Sequence, residues 1–284
     1  MTSALNQFVQ AASTFDPSDS LLPFTADSVL AGWMKKSFAE RLHDWPEYFV
    51  IRPRGVGMIG EYASPEHRSV AIAEVVESLA TQEVIRGWRS EQVTVSESYY
   101  SPPVFYMERA ASRHFGITMY SAHLNGLTAR NGQPYMWLAR RAESKHTDPG
   151  KLDNIAAGRI ARGFKPFQTL VKEAHEEAGI SAELAQQSRA AGAVRCKREV
   201  EEGLHHEIIF VHDLILPETF VPVNQDGEVA SFECVPIADL LGRLENPGQF
   251  TVDAALVIVD CLLRRGYLSP DRDDYLELIH AIRP

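Results

Sequence analysis

The chain has 284 residues, of which 45% are hydrophobic and 23% charged, and its formal net charge is -10. Such a composition is typical of a globular protein with one large domain or two ordinary ones. An acidic chain is a poor general ligand for nucleic acid or for an anionic membrane, so we expect neither as a partner. An anionic substrate would need a local basic patch or a bound metal ion.

The arrangement of the cysteines and the first residues indicates the compartment. Cys196, Cys234 and Cys261 are odd in number and widely spaced, which argues against a disulfide framework and a paired-cysteine zinc site. The first ten residues have neither a basic start nor an apolar stretch, so we predict no signal peptide. We therefore expect a cytoplasmic location, where cysteines stay reduced.

The first part of the chain is predicted to be an arm followed by a small module. Residues 1–20 are polar and mixed, and we expect a loosely attached arm. Residues 21–110 are predicted to form an α/β module in the order helix, strand, strand, helix, with the first helix over 34–43. Ser64 and Pro65 indicate the start of its second helix, because serine is a good N-cap and proline suits the first turn.

Residues 111–284 are predicted to form a second, larger domain. A helix over 107–114 would link it to the module. Two strands, over 117–129 and 134–141, are joined through Asn131 and Gly132, a dipeptide typical of tight hairpins. Strands with interspersed helices place the chain in the α/β or α+β class. The remaining predicted elements are a loop over 142–153, strands over 207–216 and 229–236, and helices over 166–178, 236–244 and 252–265.

Three carboxylates are the most informative residues of this domain. Glu173, Glu176 and Glu177 stand at positions i, i+3 and i+4 of the predicted helix 166–178, and a helix places such positions on one face. Like charges at this spacing cost about 0.2–0.5 kcal/mol per pair, which a bound cation would reverse. Because hard divalent cations such as Mg²⁺ prefer carboxylate oxygens, we predict a metal platform on this helix.

The segment from 158 to 180 resembles the Nudix box, written G-x5-E-x7-R-E-U-x-E-E-x-G-U with U an aliphatic residue. It departs from the box at Phe164, where the first glutamate is expected, at Lys172, where arginine is usual, and at Ala174, a small residue at an aliphatic position. The matching positions are Gly158, Glu173, Glu176, Glu177, Gly179 and Ile180.

Motifs outside the box resemble one Nudix subfamily, which is related to the N-terminal part of yeast-type thiamin pyrophosphokinases and carries an added N-terminal module. The resemblance extends from about residue 21 to the last residue. Its motifs lie at 107–111, 115–117, 123–126, 137–141, 152–154, 226–229 and 262–266.

The resemblance implies a fold, a cofactor and a reaction. The fold would be a Nudix-type α/β/α sandwich with a mixed sheet, preceded by the smaller α/β module. Glu173, Glu176, Glu177 and the carbonyl of Gly158 would hold Mg²⁺ or Mn²⁺, and Glu173 and Glu177 would be catalytic, Glu173 as a ligand or as the base that positions water. The implied substrate is thiamin diphosphate, or its damaged oxy and oxo analogues, cleaved to the monophosphate.

A basic margin precedes the carboxylate helix, with seven basic against three acidic residues over 140–165. Within it, Arg140, Arg141 and Lys145 are predicted to contact substrate phosphates. His123 and Asn125 are predicted to line the same pocket, although a polar pair inside the sheet is an equal alternative.

Several alternatives stay open. Because Phe164 stands where the box has a glutamate, the site would bind metal more weakly, or Glu228 or Glu207 would supply the missing carboxylate, or the protein would be a Nudix-fold binding or regulatory protein without catalysis. The enzymatic alternative is a pyrophosphatase for ADP-ribose, NADH or similar nucleotides. The module would either shape the substrate pocket or form an interface, so a homodimer is also an open alternative.

The adjacent His205 and His206 would point to opposite faces of a strand and could not share an ion.

Overall fold

The N-terminal module is built on small antiparallel and parallel strand pairs. The structure of the chain is a computed structural model, which describes residues 4–17, 20–60, 64–246 and 248–283. In chain order, the first described elements are α1 (Ala4–Ala11), β1 (Leu21–Ala26), β2 (Val29–Lys35), α2 (Lys36–Arg41), β3 (Phe49–Arg52), β4 (Gly55–Met58), α3 (Pro65–Thr81), β5 (Gln92–Val95), β6 (Phe105–Glu108) and α4 (Ser112–Phe115).

The long helix α3 closes the core of the module. It begins as the sequence predicts, because the Ser64 side chain accepts a hydrogen bond from the backbone N–H of His67 and Pro65 follows in the first turn. Its apolar face packs against a sheet with the order β2-β1-β4-β3 and against the β5–β6 pair. The buried Phe24 lies between Phe49, Phe105 and other rings of this core.

The module differs from the sequence-based prediction at both ends. Residues 21–35 form a hairpin, β1–β2, whereas the prediction began with a helix over 34–43, of which only α2 and a short 3-10 turn are present. The predicted linking helix over 107–114 is divided into the end of β6, a 3-10 turn and α4. The β1–β2 hairpin and strand β6 are stabilised by strand pairing and by burial in one apolar core, which the local spacing of apolar residues does not reveal.

The larger domain is organised by a mixed sheet. Among the described residues the sheet has seven strands, in the order β11-β12-β7-β8-β13, with β10 beside β7 and β9 beside β8. Strands β7 and β12 run parallel, and the other pairs are antiparallel. Its elements are β7 (Thr118–Arg130), β8 (Gln133–Arg141), β9 (Leu152–Asn154), β10 (Ala156–Arg159), α5 (Pro166–Ala178), α6 (Ala182–Ala185), β11 (Arg189–Glu199), β12 (Leu204–Ile215), β13 (Val229–Pro236), α7 (Ile237–Leu244), α8 (Val252–Arg264) and α9 (Tyr275–Ile282).

Helices cover both faces of this sheet. On one face, Leu170 and Ala174 of α5 pack against Ala122, Leu124 and Ala156 of the strands. On the other face, the buried α8 packs with α7 and α9 in a second apolar cluster. The mixed sheet between two helical layers, preceded by the α/β module, confirms the predicted α/β/α architecture. No helix in the described ranges is both long and apolar enough to cross a bilayer.

The N-terminal segment differs from the expected loose arm. Helix α1 lies against α9, and Leu5, Val9 and Ala12 are buried in the core of the larger domain. The chain then runs beside β11, because the Lys197 backbone N–H donates to Ala12 and the Phe15 backbone N–H donates to Lys197. Apolar residues four apart on one short helix explain this docking. Residues 1–3, 18 and 19 of the predicted arm lie outside the described residues.

The core of the module continues past the predicted boundary at residue 110. Phe115, Ile117 and Met119 are buried with the module residues rather than with the larger sheet. The division into residues 1–20, 21–110 and 111–284 stays a prediction, and residues 115–119 belong by their packing to the core of the module.

Candidate functional site

The carboxylate helix has the start and end that the sequence predicts. Helix α5 begins with Pro166, after Lys165, whose backbone N–H donates to the side chain of Gln168. It ends at Gly179, whose φ of 66° lies in the left-handed region that favours glycine. Buried Leu170 and Ala174 hold one face of the helix on the sheet. The glutamate face is therefore held beside β10.

Strand β10 and helix α5 approach each other very closely. A Cβ atom on Gly158 would lie 2.2 Å from Cγ and 2.3 Å from Cδ of Glu173. One residue earlier, the backbone N–H of Ala157 donates a 2.8 Å hydrogen bond to Oε2 of Glu177. The first glycine of the motif is thus in contact with its carboxylates, although they are separated by 15 residues or more.

Glu177 is a buried carboxyl in an acidic setting. Its side chain is 6% exposed. Burial raises the pKa of Glu177 to about 8, the hydrogen bond from Ala157 opposes this shift, and the nearby carboxylates of Asp153 and Glu173 add to it. Burial likewise raises the pKa of Glu173. A divalent cation among these oxygens would offset the repulsion between the buried carboxylates, so these residues fit such an ion.

Glu176 and Lys172 occupy the outer edge of the same face. Lys172 donates from Nζ to Glu176 at 2.7 Å and to Glu173 at 3.1 Å. The lysine that replaces the box arginine therefore bridges two of the three carboxylates. Glu176 is more exposed than Glu173 or Glu177, since its side chain retains 40% of its accessible surface.

Glu173 and Glu176 line a cleft of about 310 Å³, which lies between the larger domain and the module. Its walls come from β7, β10, α5, the loop after β8, the start of α8 and the module. The module contributes Arg89, Glu91, Arg109 and Arg113. A second cleft of about 760 Å³, lined mainly by the module, shares Arg89, Arg109, Arg113, His146, Thr147 and Arg159 with the first.

Arginines line the same cleft as the carboxylates. Arg109 of the module pairs with Glu91 at 2.8 Å, and burial together with the neighbouring Arg159 lowers the pKa of Arg109. In the described part of the chain, Nε of Arg159 and Nε of Arg198 are buried without a hydrogen-bond partner. Crowded cations with unused donors are suited to an anion such as a phosphate.

Three of the five predicted substrate-binding residues line the cleft, and two do not. Arg141 pairs with Asp153 at 3.0 Å, Lys145 pairs with Glu228, and His123 is hydrogen-bonded to Asn154 at 2.9 Å. Arg140 is adjacent to Arg141 on β8 and so points away, to Glu233. Asn125 is fully buried and donates to Asp213, which supports the alternative of a polar pair in the sheet.

The exposed Phe164 lies outside this cleft, and other carboxylates lie inside it. Glu228 and Glu207, both predicted replacements, are lining residues, the first bound to Lys145 and the second to Arg159. Asp153 and Asp226 also line the cleft, and sequence reasoning did not assign them a role. Asp153 is the strongest of these, because it is buried beside Glu177. Asp153 lies in the motif at 152–154, which was the one sequence feature that could have indicated its role.

Comparison with known proteins gives two matched families and close relatives. A domain of unknown function (DUF4743) matches residues 3–119, and the NUDIX domain matches residues 121–256. Nudix hydrolase 20, chloroplastic, from Arabidopsis thaliana is 36% identical in an alignment of 271 residues that covers 92% of this chain and 72% of that protein. Nudix hydrolase 24, chloroplastic, from the same plant is 36% identical over 264 residues, with the same coverage of 92% and 72%.

Among solved structures, DR0079 from Deinococcus radiodurans is similar with a TM-score of 0.47 and 18% identity, over 63% of this chain and 100% of that one. The NUDIX domain of Shewanella oneidensis NrtR, solved in complex with ADP ribose, is similar with a TM-score of 0.43 and 16% identity, over 53% and 90% of the two chains.

Proposed function

Because the chain belongs to the Nudix hydrolase family, and is thus a hydrolase of phosphorus-containing acid anhydrides, we propose that it uses Mg²⁺ or Mn²⁺ to cleave a diphosphate linkage in a small molecule. The observation that carries the proposal is the composition of one cleft. Glu173, Glu176 and Gly158 line it together with the arginines Arg109 and Arg159, and Glu177 is buried next to it, bound by the Ala157 backbone.

The metal would be held by the carboxylates of the box helix. Glu173, Glu176 and Glu177 supply oxygen donors, and the carbonyl of Gly158 is the family's backbone ligand at the same edge. Asp153 is a buried carboxylate that lines the cleft, and it would offset the missing glutamate. When bound, a divalent ion supplies charge neutralisation at phosphate oxygens and lowers the pKa of a coordinated water.

The protein's own residues orient the diphosphate and hold a proton. The guanidinium groups of Arg159, Arg109 and Arg198 line the cleft and bind the phosphate oxygens. Glu173 lines the cleft and would be the base that positions the attacking water, while the buried Glu177 would be a metal ligand. Lys172 orients Glu173 and Glu176 through its two hydrogen bonds.

For the substrate, we propose thiamin diphosphate or its oxy and oxo analogues, cleaved to the monophosphate. The resemblance of the flanking motifs to the thiamin-pyrophosphokinase-related subfamily supports this choice, as does the first cleft, whose volume suits a compact ligand. ADP-ribose or NADH is the second candidate. Its additional nucleoside would fit the second, connected cleft of the module.

One assay separates these functions. The purified chain is incubated with Mg²⁺ or Mn²⁺ and oxythiamin diphosphate, thiamin diphosphate, ADP-ribose or NADH, and the released monophosphates are measured. The proposal predicts the highest kcat/KM for a thiamin-type diphosphate. A preference for ADP-ribose or NADH would establish the second candidate. Binding of these compounds without turnover of any of them would refute the enzymatic function and support a binding protein.

We also propose a cytoplasmic location, supported by three free cysteines. Fractionation of cells expressing the full-length chain tests the location. The homodimer alternative is tested by light scattering of the purified protein.

A further inference from the structure

Cys196, His205 and Asp253 form a buried cluster beside the cleft. One donor atom from each, the Sγ of the cysteine, a ring nitrogen of the histidine and a carboxylate oxygen of the aspartate, lies within 4.8 Å of the other two. The Nε2 atom of His205 is 3.1 Å from Oδ1 of Asp253. Cys196 is fully buried and His205 is 3% exposed. These three residues are distinct from the box carboxylates.

Sheet register explains why these side chains meet. Strands β11 and β12 pair so that Cys196 lies opposite Glu207, and His205 is two residues from Glu207 on β12. Residues two apart on a strand share a face, so all three side chains point toward α8. Thr251 caps α8, which places Asp253 in the first turn directly over that face. His206 points to the opposite face and contacts Thr118, as the strand alternation predicts.

Glu207 lies next to these three residues and is the candidate fourth ligand. Its Oε2 lies 3.7 Å from Nε2 of His205. Zinc ligands at about 2.0–2.3 Å in a tetrahedron lie roughly 3.3–3.6 Å from one another. The two distances from His205, 3.1 Å to Asp253 and 3.7 Å to Glu207, bracket this separation. Small side-chain shifts would therefore bring four donors to one ion.

We propose that Cys196, His205, Asp253 and Glu207 form a second metal site, for a transition metal of the Zn²⁺ class. Thiolate and imidazole donors select such metals over Mg²⁺ or Mn²⁺, which prefer oxygen. Buried charge also balances: the thiolate and two carboxylates carry three negative charges, and a divalent ion together with Arg159, which pairs with Glu207 at 3.3 Å, carries three positive ones.

The proposed ion would have a structural role next to the reaction site. Four protein ligands fill a tetrahedral zinc shell, which is typical of structural rather than catalytic zinc. The ion would join β11, β12 and α8 and fix Glu207, which in turn holds Arg159 in the cleft wall. The site depends on none of the box glutamates, so it stands even if the proposed substrate is wrong.

Cobalt substitution of the full-length chain tests the site. The purified protein is stripped with a chelator, titrated with Co²⁺ and followed by absorption, because a thiolate-to-cobalt charge-transfer band arises only if a cysteine binds the ion. We expect one equivalent of Co²⁺ to produce this band and Zn²⁺ to abolish it by displacement, while excess Mg²⁺ leaves it unchanged. Cys196→Ser should lose the band. Cys234→Ser, which removes a half-buried cysteine outside the cluster, should retain it.

Two further variants keep the test decisive if Cys196→Ser does not fold. His205→Gln and Asp253→Asn retain the cysteine and should weaken Co²⁺ binding by at least tenfold, as measured from the same band. Absence of the band in the wild-type protein would overturn the site, because no cysteine would then bind cobalt. Unchanged affinity in both His205→Gln and Asp253→Asn would overturn it equally.

Discussion

The backbone of Gly158 lies in contact with the side chain of Glu173. A methyl group on Gly158 would lie within 2.6 Å of three atoms of that glutamate, closer than real carbon contacts allow. Position 158 therefore has no room for a side chain, because the side chain of Glu173, a carboxylate of the proposed metal site, occupies that volume.

Gly158→Ala should displace Glu173 without unfolding the protein, since the atoms in its way belong to one side chain rather than to the backbone. We expect kcat to fall roughly 100-fold, the effect of misplacing a reacting group by about 1 Å, and the melting temperature to change little. Gly242→Ala is the matched control, because a Cβ there meets nothing within 4 Å. Equal activity of the two variants would show that Glu173 has no role.

Glu177→Gln should separate metal binding from folding. The substitution should lower kcat/KM by roughly 10²–10³-fold, the usual loss when one group that stabilises the transition state is removed. Burial raises the pKa of Glu177 to about 8, so its charged form costs stability increasingly as the pH rises from the unfolded value toward 8. The metal-free variant should thus melt at the same or a higher temperature at pH 8, and Mg²⁺ should raise the melting temperature of the wild type only.

The exposed Glu183→Gln is the control for that experiment, because its side chain lies outside the cleft. An equal response of Glu177→Gln and the wild type to Mg²⁺ would contradict the assignment of Glu177 as a ligand.

Arg109→Gln should weaken diphosphate binding although it lies in the module. A lost hydrogen bond to a charged group corresponds to a KM increase of roughly 10-fold or more, with a smaller change in kcat. The wild-type KM should also rise with ionic strength. Arg52→Gln, which removes an exposed arginine of β3, should leave KM unchanged. A KM for Arg109→Gln within twofold of the wild type would exclude the module from the phosphate site.

The carboxylate helix and the hairpin could be predicted from sequence because their signals are local. Pro166 and Gly179 define the ends of α5, and Asn131 and Gly132 both adopt positive φ in the β7–β8 turn. The prediction that His205 and His206 face opposite sides also follows from strand geometry alone and is confirmed.

The rest depended on contacts between distant residues. Arg140 and Arg141 are chemically identical, and only the pairing of β8 with its neighbours decides which of them enters the cleft. Asp153 lies on a strand of three residues, too short to show periodicity. The contribution of Arg109 required knowing how the module meets the larger domain, which no pattern within either part reveals.

Acid stability should depend on Asp213. Although burial opposes it, hydrogen bonds from Arg264, Asn125 and Arg265 lower the pKa of Asp213 below its ordinary value. Its contribution to the free energy of unfolding is thus complete above the unfolded pKa of about 3.9 and is lost as the pH falls through the lower folded value. Asp213→Asn should cost about 3–5 kcal/mol at pH 7, because it removes the buried charge that Arg264 and Arg265 both contact.

Urea unfolding between pH 7 and pH 2 measures this difference. The gap between the wild type and Asp213→Asn should be constant from pH 7 to about pH 5 and shrink at the lowest pH values. Asp273→Asn, at an exposed position, should show no such gap. A gap that widens toward low pH would contradict the ion-pair explanation.

The docking of α1 on α9 changes what counts as the hydrolase domain. Helix α1 packs in the core of that domain, the chain then builds the module, and it returns to the larger sheet at β7. A truncation that starts at residue 111 would therefore remove Leu5 and Val9 from the hydrolase core.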